Sequence, residues 1–330
     1  MTEKVDIVVV GAGPCGLGVG VAARQAGLSC ILFDRGAVTS ALTRFPTHMT
    51  FFSTAERLEL GGVPFIAPGD KPVRRDALRY YRRIVDVFDL DVHQYEEVTE
   101  VSGGAGDFLV RTRRMDGDVA EHRARHLVIA TGYLDTPRLM DIPGEELPKV
   151  QHYYTEGSPY FRQDCIVIGA GNSSVDVALD LFRWGARVTL VHFADVLDPG
   201  VKPWILPDIQ GRLKAGEIAA RWRTRLVEVR PRTVILRHED TGETEEVPND
   251  WVFAMTGYIP DPTLLQHLGV SINPITGIPL HDAATMESDV PGVYIAGVLA
   301  AGYDANKIFI ENGREHGLKI CAAILARSGK

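Results

Sequence analysis

The stretch Val5-Asp6-Ile7-Val8-Val9-Val10-Gly11-Ala12-Gly13-Pro14-Cys15-Gly16 decides the fold of this chain. Its β-branched residues predict a buried strand that stops at Gly11. The glycines then predict a tight turn into a helix: the first allows the turn, the second lets a pyrophosphate reach the backbone, and the third lets helix and strand pack closely. Unpaired N–H groups at the start of that helix favour an anion. The stretch therefore predicts a dinucleotide site that uses Gly11, Gly13, Pro14 and Gly16.

An acidic residue supports this interpretation. The next predicted strand, Cys30-Ile31-Leu32-Phe33, stops at Asp34. A carboxylate at the end of the second strand, roughly 20 residues past the glycines, is placed to bind a ribose 2′-hydroxyl. Asp34 therefore joins the predicted site. A strand before the glycines, a helix after them and an acid at this position make the motif much more specific than the glycines alone.

A second glycine motif lies further along the chain, at Cys165-Ile166-Val167-Ile168-Gly169-Ala170-Gly171-Asn172-Ser173-Ser174. Ser174 replaces the third glycine as a small residue, and the candidate nucleotide-binding residues are Gly169, Gly171, Asn172, Ser173 and Ser174. No acid closes the following strand, where His192 and Phe193 stand. A missing acid removes a clash with a 2′-phosphate, so this site could accept NADP. His192 or Lys202 could serve as its basic partner, although Lys202 is equally consistent with a solvated loop lysine.

Two such motifs, each opening its own βαβ unit, indicate a duplicated nucleotide-binding fold. We predict an α/β protein with two three-layer, Rossmann-like domains. The first covers residues 1–133 and 256–330, and the second covers residues 134–255. The proline-rich stretch after Tyr133 marks one boundary. The stretch that ends Thr256-Gly257-Tyr258 echoes Thr131-Gly132-Tyr133 and marks the return to the first domain. Two nucleotide sites on one chain favour a reaction in which one dinucleotide reduces another.

Composition narrows the classes of function. The chain has 330 residues, of which 45% are hydrophobic, as in an ordinary globular protein of about two domains. Its net charge of −8 argues against a generic nucleic-acid surface. The N-terminal residues do not resemble a signal peptide, and no apolar run approaches the ~20 residues of a membrane span. We therefore expect a cytoplasmic protein without a nucleic-acid or membrane partner.

The four cysteines are widely spaced, at Cys15, Cys30, Cys165 and Cys321. No pair forms a C-x-x-C, so the sequence contains neither a dithiol redox motif nor a zinc ribbon. Cys15 differs from the other three, which we expect to be packed thiols. It lies at the start of the first helix, where the helix dipole is expected to lower the pKa of a thiol. The competing interpretation is a small side chain that fills space, and a nearby pyrophosphate would oppose a thiolate.

Other patterns predict further elements. Apolar residues at spacings of three and four predict an amphipathic helix over residues 74–88. Strands are predicted over residues 91–101, 108–113 and 122–130, and a final helix over about residues 306–327. The irregular segment 39–72 fits either a surface loop or a wall around a planar ring.

These stretches together resemble the low-molecular-weight thioredoxin-reductase-like flavoproteins, and within that group the bacillithiol disulfide reductase family. The matching stretches spread over nearly the whole chain, and they are Gly11-Ala12-Gly13-Pro14-Cys15-Gly16-Leu17, Phe51-Phe52-Ser53-Thr54, Ala130-Thr131-Gly132-Tyr133, His152-Tyr153-Tyr154, Gly171-Asn172-Ser173-Ser174, Val201-Lys202-Pro203-Trp204 and Ile308-Phe309-Ile310-Glu311-Asn312-Gly313-Arg314.

The resemblance implies FAD at the first motif, in a discontinuous domain, and NADPH at the second, with NADH as the alternative. It implies that further FAD contacts come from Thr131, Gly132, Gly297, Lys307 and Ile308. Lys307, near the start of the predicted final helix, would steady negative charge on a reduced flavin. The resemblance also implies that Cys15 is the reactive thiol, and that the protein is a homodimer or homotetramer.

Three departures from the family pattern bear on function. The C-x-x-C of thioredoxin reductases is absent, and Val298 stands where an Asp is expected after the glycine of the last strand. Phe193 replaces an arginine that is expected after the second nucleotide strand. This last departure leaves the preference for NADPH open.

The predicted reaction passes a hydride from NAD(P)H to FAD and then electrons to a low-molecular-weight disulfide, for which the resemblance implies bacillithiol disulfide. Cys15 is the candidate one-thiol relay. One alternative is a ferredoxin or flavodoxin NADP reductase, which passes single electrons and needs no cysteine. Another is a flavin-binding redox sensor with slow turnover. A flavin monooxygenase is less favoured, because no third signature lies between the two nucleotide motifs.

Overall fold

The computed structural model describes residues 4–304 and 307–328. The chain divides into two compact units, of which the first comprises residues 1–43, 53–136 and 258–330 and the second residues 44–52 and 137–257. The strands are β1 Lys4–Val10, β2 Cys30–Asp34, β3 Asp91–Gln94, β4 Glu96–Gly104, β5 Asp107–Arg114, β6 Val119–Ile129, β7 Val150–Gln151, β8 Asp164–Ile168, β9 Arg187–Val191, β10 Ala219–Arg221, β11 Thr224–Val229, β12 Thr233–His238, β13 Thr244–Pro248, β14 Trp251–Ala254 and β15 Val293–Ile295. The α-helices are α1 Pro14–Gln25, α2 Ser40–Thr43, α3 Arg74–Phe88, α4 Asn172–Arg183, α5 Leu206–Ala215, α6 Thr263–His267, α7 Ile310–Gly313 and α8 His316–Ser328.

The first unit is built on a seven-stranded sheet. Five strands run parallel in the order β3-β2-β1-β6-β15, and β5 and β4 add an antiparallel hairpin to the first half of β6. The β-branched run at β1 is the centre of the sheet, and Val8 and Val9 are fully buried. A strand covered on both faces reads as a continuous apolar run, as β1 does. The arrangement brings the carboxyl ends of β1, β2, β6 and β15 to one edge.

Helices α1 and α8 of the first unit approach closely because both carry glycines at the contact. A Cβ atom at Gly18 would lie 2.9 Å from the carbonyl oxygen of Arg314, and one at Gly317 would lie 2.5 Å from the carbonyl oxygen of Gly18. Any larger side chain at either position would force the two helices apart.

The final helix begins later than the sequence pattern predicted. The expected single helix over residues 306–327 is instead a short helix, α7, followed by α8 from His316; Asn306 lies outside the described residues. Arg314, between them, donates hydrogen bonds from Nη1 to the carbonyl oxygens of Glu59 at 2.6 Å and Glu56 at 3.1 Å. The predicted single helix is therefore interrupted at a residue that makes tertiary hydrogen bonds. Within the described residues, none of the helices is long and apolar enough to cross a membrane.

The prediction for α3, residues 74–88, is confirmed. The predicted strand over residues 91–101 is instead divided into β3 and β4. Tyr95 separates them with a φ of 56°, a left-handed conformation that a regular strand does not contain.

The second unit contains a five-stranded parallel sheet in the order β10-β9-β8-β14-β7 and a separate antiparallel sheet, β11-β12-β13. Its core is formed by apolar side chains of β8, α4 and β9, among them Val167, Leu179 and Leu190. Each unit therefore contains the strand-turn-helix-strand arrangement that its glycine motif predicted. The prediction of an α/β protein with two Rossmann-like units is confirmed.

Residues 44–52 belong to the second unit although they interrupt the sequence of the first. The N–H of Thr47 donates to the carbonyl oxygen of Thr155 at 2.9 Å. Nδ1 of His48 lies 3.6 Å from Oδ1 of Asp180, whose other oxygen accepts the Tyr154 hydroxyl at 2.5 Å. Backbone and side-chain contacts both hold this segment on the second unit.

A buried carboxylate joins the strands of the first sheet. Glu96 is only 2% exposed, and its oxygens accept hydrogen bonds from Thr112 at 2.5 Å and from Nε of Arg114 at 3.1 Å. Nδ1 of His93 also lies 3.1 Å from Glu96, and the His93 and His122 rings both pack against Phe33. Burial opposes ionisation of Glu96, but these hydrogen bonds outweigh it and lower its pKa to about 2.

We expect Glu96→Gln to reduce the free energy of unfolding at about pH 7 by about 1.5–3 kcal/mol. The neutral amide cannot replace the hydrogen bonds that the buried, ionised carboxylate accepts. A carboxyl whose pKa is lower in the folded state stabilises the protein above its unfolded value of 4.5, and that contribution is lost as the pH falls toward about 2. The difference between variant and wild type in urea denaturation should therefore narrow in acid.

Glu97→Gln is the matched control, because the Glu97 side chain is 42% exposed and pairs with Arg113 at 2.9 Å. An exposed ion pair contributes less than about 1 kcal/mol. Equal effects of the two substitutions at neutral pH would contradict the stabilising role assigned to Glu96.

Candidate functional site

The first glycine turn is held by a close approach between backbone atoms. Gly11 follows β1 with a φ of 108°, and a Cβ atom there would lie 2.4 Å from the carbonyl oxygen of Ala130. A Cβ atom at Gly16 would lie 2.0 Å from the carbonyl oxygen of Gly11. Neither contact leaves room for a side chain, so both glycines are required for β1, β6 and α1 to meet at this point.

The start of α1 is open beside this turn. Gly13 is the N-cap residue with a φ of −72°, and a Cβ atom there would meet no atom within 4 Å. Pro14 occupies the first turn, where its missing N–H costs no hydrogen bond. No side chain caps the helix, so its N–H groups can bind an anion.

Asp34 ends β2 and holds the same turn. Its Oδ2 accepts the N–H of Ala12 at 2.9 Å, and its Oδ1 accepts the N–H of Gly36 at 2.8 Å and the hydroxyl of Ser40 at 3.1 Å. Burial raises the pKa of Asp34, while the hydrogen bonds from Gly36 and Ala12 oppose that rise. A carboxylate has about four acceptor positions, so these three bonds leave capacity for a ribose hydroxyl.

Two further predicted residues lie at the neighbouring strand ends. Thr131 follows β6, with its N 3.2 Å from the position that a Gly11 Cβ would take, and it is exposed. Gly132 has a φ of 74° and open space where a Cβ would be. The predicted first-site residues Gly11, Thr131 and Gly132 therefore lie near the carboxyl ends of adjacent parallel strands, where α/β sheets bind their ligands.

Gly297 follows β15, and its N–H donates to Nδ1 of His316 at 3.1 Å. Burial lowers the pKa of His316 to about 4, so the ring is neutral near pH 7 and this nitrogen is free to accept. Sequence reasoning missed His316, because a histidine inside an apolar helical pattern gives no signal of its partner.

Lys307 lies outside the final helix, so its predicted place at that helix N-terminus is wrong. Lys307 lies nine residues before α8 begins. Its Nζ is exposed and lies 3.5 Å from the carboxylate of Asp304. Ile308 lies closer to the first site, since its Cγ2 would be 3.2 Å from a Cβ atom at Gly313.

Glu311 joins two of the stretches that carry the family resemblance. Its Oε2 accepts the Ser53 hydroxyl at 2.7 Å, and its other oxygen pairs with the Arg57 guanidinium. These bonds hold the segment after residue 52 against α7. The sequence analysis had quoted Ser53 and Glu311 as motif residues without predicting that they meet.

Cys15 lies in the first turn of α1, between two glycines of the first unit. A Cβ atom at Gly313 would lie 2.8 Å from the Cys15 sulfur, and one at Gly297 would lie 3.1 Å from it. Cys15 keeps intermediate exposure, but desolvation raises the pKa of its thiol to about 12, so the predicted lowering by the helix dipole is wrong. The position favours the space-filling interpretation over a thiolate. Burial also raises the pKa of Cys165 and Cys321 to about 12, and that of Cys30.

The second glycine turn repeats the first with one change. Gly169 follows β8 with a φ of 112°, and a Cβ atom there would lie 2.8 Å from the carbonyl oxygen of Met255. Gly171 is the N-cap of α4, and a Cβ atom at that position would meet only Asp198, at 3.9 Å. Ser174 is buried, and its hydroxyl donates to the carbonyl oxygen of Gly171 at 2.9 Å. A serine therefore fits where the first turn requires Gly16.

Asn172 and Lys202 tie the loop after β9 to α4. Oδ1 of Asn172 accepts the N–H of Lys202 at 2.8 Å, and its Nδ2 donates to the carbonyl oxygen of Gly200 at 2.9 Å. Ser173 is exposed at the helix start. The Lys202 ammonium is buried and lies 2.7 Å from Asp176, so it is already paired and is not a solvated lysine.

His192 and Phe193 stand at the end of β9, as expected. Burial lowers the pKa of His192, and its Nδ1 is buried with no partner among the described residues. The Phe193 ring is 52% exposed, and the guanidinium carbon of Arg225 lies 4.7 Å from its centroid. Sequence reasoning missed Arg225, which lies on a strand more than thirty residues away.

Both turns fit a dinucleotide. Each combines an uncapped helix N-terminus with a glycine N-cap, Gly13 or Gly171, whose missing side chain leaves open space. A pyrophosphate needs this combination of backbone donors and close approach. The first turn also has the carboxylate, Asp34, that suits the adenosine ribose of FAD, and the second has none.

We expect Cys15 to resist alkylation in the folded protein. Because desolvation raises the pKa of this thiol, the reactive thiolate is rarer at neutral pH than in an ordinary cysteine. Iodoacetamide labelling followed by peptide mass spectrometry should modify Cys15 rapidly in urea and slowly in the native state. Rapid labelling of native Cys15 at neutral pH would contradict the raised pKa of this thiol.

Comparison with known proteins agrees with this geometry. Residues 8–297 match the model of the pyridine nucleotide-disulphide oxidoreductase family. The chain is 43% identical over 323 residues to the bacilliredoxin reductase Bdr of Bacillus subtilis, covering 97% of each chain.

Solved structures give the same result. The bacillithiol disulfide reductase Bdr from Bacillus cereus is 42% identical and superposes with a TM-score of 0.95, covering 98% of this chain and 100% of that one. A thioredoxin reductase from T. acidophilum, 20% identical with a TM-score of 0.77 over 99% of both chains, shares the fold. The chain belongs to the pyridine nucleotide-disulphide oxidoreductases and, within their thioredoxin-reductase-like fold, to the bacillithiol disulfide reductase family of flavoproteins that use FAD and NAD(P)H.

Proposed function

We propose that this flavoprotein reduces a low-molecular-weight disulfide with NAD(P)H, and that bacillithiol disulfide is its first candidate substrate. One NAD(P)H, one proton and one disulfide RSSR give NAD(P)⁺ and two molecules of the thiol RSH, so a hydride supplies both electrons that break the S–S bond. The observation that carries the proposal is the presence of two open glycine turns, at Gly13 and Gly171, on one chain. The name of the Bacillus cereus relative supports the choice of substrate.

In this proposal, residues 1–133 and 256–330 hold FAD and residues 134–255 hold NAD(P)H. Gly11, Gly13 and Gly16 bring the N-terminus of α1 to the FAD pyrophosphate, and Asp34 holds the turn and accepts from the ribose. The bound flavin supplies the two-electron chemistry that no side chain of the protein provides. Gly169, Gly171, Ser173 and Ser174 present the N-terminus of α4 to the nicotinamide dinucleotide.

The proposal does not require a dithiol on the protein, and the sequence contains no C-x-x-C motif. Cys15 is the candidate redox thiol because it is the only cysteine within either glycine turn. To attack a disulfide it must first lose its proton, which its burial opposes. We therefore treat participation of Cys15 as a separate part of the proposal, with its own test.

Location and assembly complete the proposal. We place the enzyme in the cytoplasm, where free thiols persist and low-molecular-weight disulfides need reduction. We propose a homodimer or homotetramer, as the family resemblance implies. The name of the Bacillus subtilis relative points to a protein substrate, a bacilliredoxin. The test must therefore compare a bacilliredoxin with the small disulfide as substrates.

The test uses purified holoenzyme, NADPH or NADH, and a panel of bacillithiol disulfide, glutathione disulfide, a bacilliredoxin mixed disulfide and ferredoxin. We expect bacillithiol disulfide to accelerate nicotinamide oxidation by at least about tenfold over the enzyme alone, a difference of about 1.4 kcal/mol in barrier. A response only to the bacilliredoxin mixed disulfide would show that the substrate is a protein and not a small disulfide. A response only to ferredoxin would indicate an electron transferase, and slow flavin bleaching with both nicotinamides would indicate a sensor.

Cys15→Ala tests the relay in the same assay. We expect bleaching of the flavin by the nicotinamide to persist, because Cys15 is not part of the second turn. Loss of disulfide turnover with intact bleaching would identify Cys15 as the redox thiol, and retention of both would assign it to packing.

The two glycine N-caps should separate the two cofactor sites. Gly13→Ala should fold, because its φ is ordinary and its Cβ meets nothing, with a loss of under about 1 kcal/mol in the free energy of unfolding. The new methyl group should block the pyrophosphate and lower FAD affinity by at least about tenfold. Gly171→Ala should retain its flavin but bind NADPH weakly.

Gly104→Ala is the control, because a Cβ there also meets no atom and the residue lies in β4. Flavin content, measured from absorbance after gel filtration, and NADPH affinity, measured by titration, are the readouts. A Gly13→Ala protein with wild-type flavin content would overturn the assignment of FAD to the first turn.

A further inference from the structure

We propose that Arg225, stacked on Phe193 at the end of β9, binds the 2′-phosphate of NADPH and makes this enzyme select NADPH over NADH. The inference deepens the proposed function and rests on it, because it takes the second glycine turn as the nicotinamide nucleotide site. It assigns the arginine that the sequence lacks at position 193 to a different strand of the same unit.

The location follows from the βαβ geometry of the second unit. In such a unit the pyrophosphate lies at the glycine turn, here between β8 and α4, and the adenosine ribose lies beyond the end of the next strand. That strand is β9, which ends at Val191 and is followed by His192 and Phe193. No carboxylate stands at these two positions, so nothing there would favour a 2′-hydroxyl over a phosphate.

Backbone hydrogen bonds fix the start of β11 beside this strand end. The N–H of His192 donates to the carbonyl oxygen of Arg221 at 3.0 Å, and the N–H of Thr224 donates to the carbonyl oxygen of His192 at 2.9 Å. The N–H of Arg223 donates to the carbonyl oxygen of Ala194 at 2.9 Å. Arg225 therefore reaches Phe193 from a rigid strand and not from a free loop.

The side-chain geometry suits a phosphate. The guanidinium carbon of Arg225 lies 4.7 Å from the Phe193 ring centroid, a distance at which an aromatic face attracts a cation. The side chain is 50% exposed, and its hydrogen bond within the described part of the chain runs from Nε to Glu239, at 2.9 Å. The two terminal nitrogens therefore remain for a second acceptor, and a guanidinium can bind phosphate in a bidentate manner.

Other cations near the site are less suited to this role. The Lys202 ammonium is buried against Asp176, and burial lowers the pKa of His192, which disfavours its cationic form. Arg221 and Arg223 each bind a carboxylate through Nε and a terminal nitrogen, that of Glu245 on β13 and that of Asp240 in the turn between β12 and β13. Among the described cations, Arg225 is the one that contacts the ring of Phe193.

The test measures nucleotide binding to the FAD-loaded enzyme by calorimetry, with 2′,5′-ADP and 5′-AMP as probes. We expect the wild type to bind 2′,5′-ADP at least about tenfold more tightly than 5′-AMP, as a bidentate phosphate contact allows. Arg225→Gln should lose at least about tenfold in 2′,5′-ADP affinity and change less than about twofold for 5′-AMP. Arg225→Lys keeps the charge but not the planar guanidinium, so its affinity for 2′,5′-ADP should lie between those of the wild type and Arg225→Gln.

Arg183→Gln is the matched control. Arg183 is 53% exposed and pairs with Asp208 at 2.7 Å, much as Arg225 pairs with Glu239, but it lies at the opposite end of α4 from the glycine turn. It removes the same charge from the same unit and should leave both affinities unchanged. Thermal unfolding of each variant shows whether the fold is intact, and Arg225→Lys carries the test if Arg225→Gln does not fold.

Three results would overturn the inference: equal wild-type affinity for the two probes, equal loss of both probes in Arg225→Gln, or a wild-type preference for NADH in disulfide-dependent turnover. None of these would affect the proposed function, which requires only that one nicotinamide drives disulfide reduction. Failure of both nicotinamides to drive it, with selective 2′,5′-ADP binding retained, would overturn the proposed function and leave the phosphate site standing.

Discussion

The contact between Gly16 and the carbonyl oxygen of Gly11 is the constraint on which the first unit depends. A Cβ at Gly16 would come within 2.0 Å of that oxygen, so α1 can leave β1 at this angle only without a side chain there. This glycine turn places the uncapped N-terminus of α1 at the edge of the sheet where the carboxyl ends of the strands lie. Asp34 holds the same turn from β2 by accepting the N–H of Ala12. One steric requirement thus fixes the direction of the helix and the place of the acid.

The glycine turn of the second unit leaves more room than that of the first. Its third small residue is Ser174, whose hydroxyl bonds to the carbonyl oxygen of Gly171 and stays within the turn. The acid of the first unit has no counterpart at the end of β9, where aromatic and basic side chains meet. The two turns present the same backbone donors, but their surroundings differ in charge. This difference in the neighbouring strand, and not in the glycines, separates the two nucleotide sites chemically.

Burial keeps the ionisable groups around the first turn neutral where that matters. The Cys15 thiol is packed among glycines, and the His316 ring accepts the N–H of Gly297 in its neutral form. The residues of this site contribute positioning and hydrogen bonds. That is consistent with a flavoprotein whose bound cofactors carry the electrons.

The sequence by itself determined the two βαβ units, the helix over residues 74–88 and the absence of a C-x-x-C motif, because glycine spacing, apolar periodicity and cysteine spacing are local properties of the chain. It also predicted that the missing side chains at Gly13 and Gly171 leave room for a pyrophosphate beside the backbone. Only the tertiary structure decided the surroundings of Cys15, since Gly297 and Gly313, which pack against its sulfur, lie nearly 300 residues away in sequence. The same holds for the late start of α8, for the bond between Ser53 and Glu311, and for Arg225 on Phe193. Each of these rests on a contact between distant segments, and such contacts leave no periodic or spacing signal in the residues that make them.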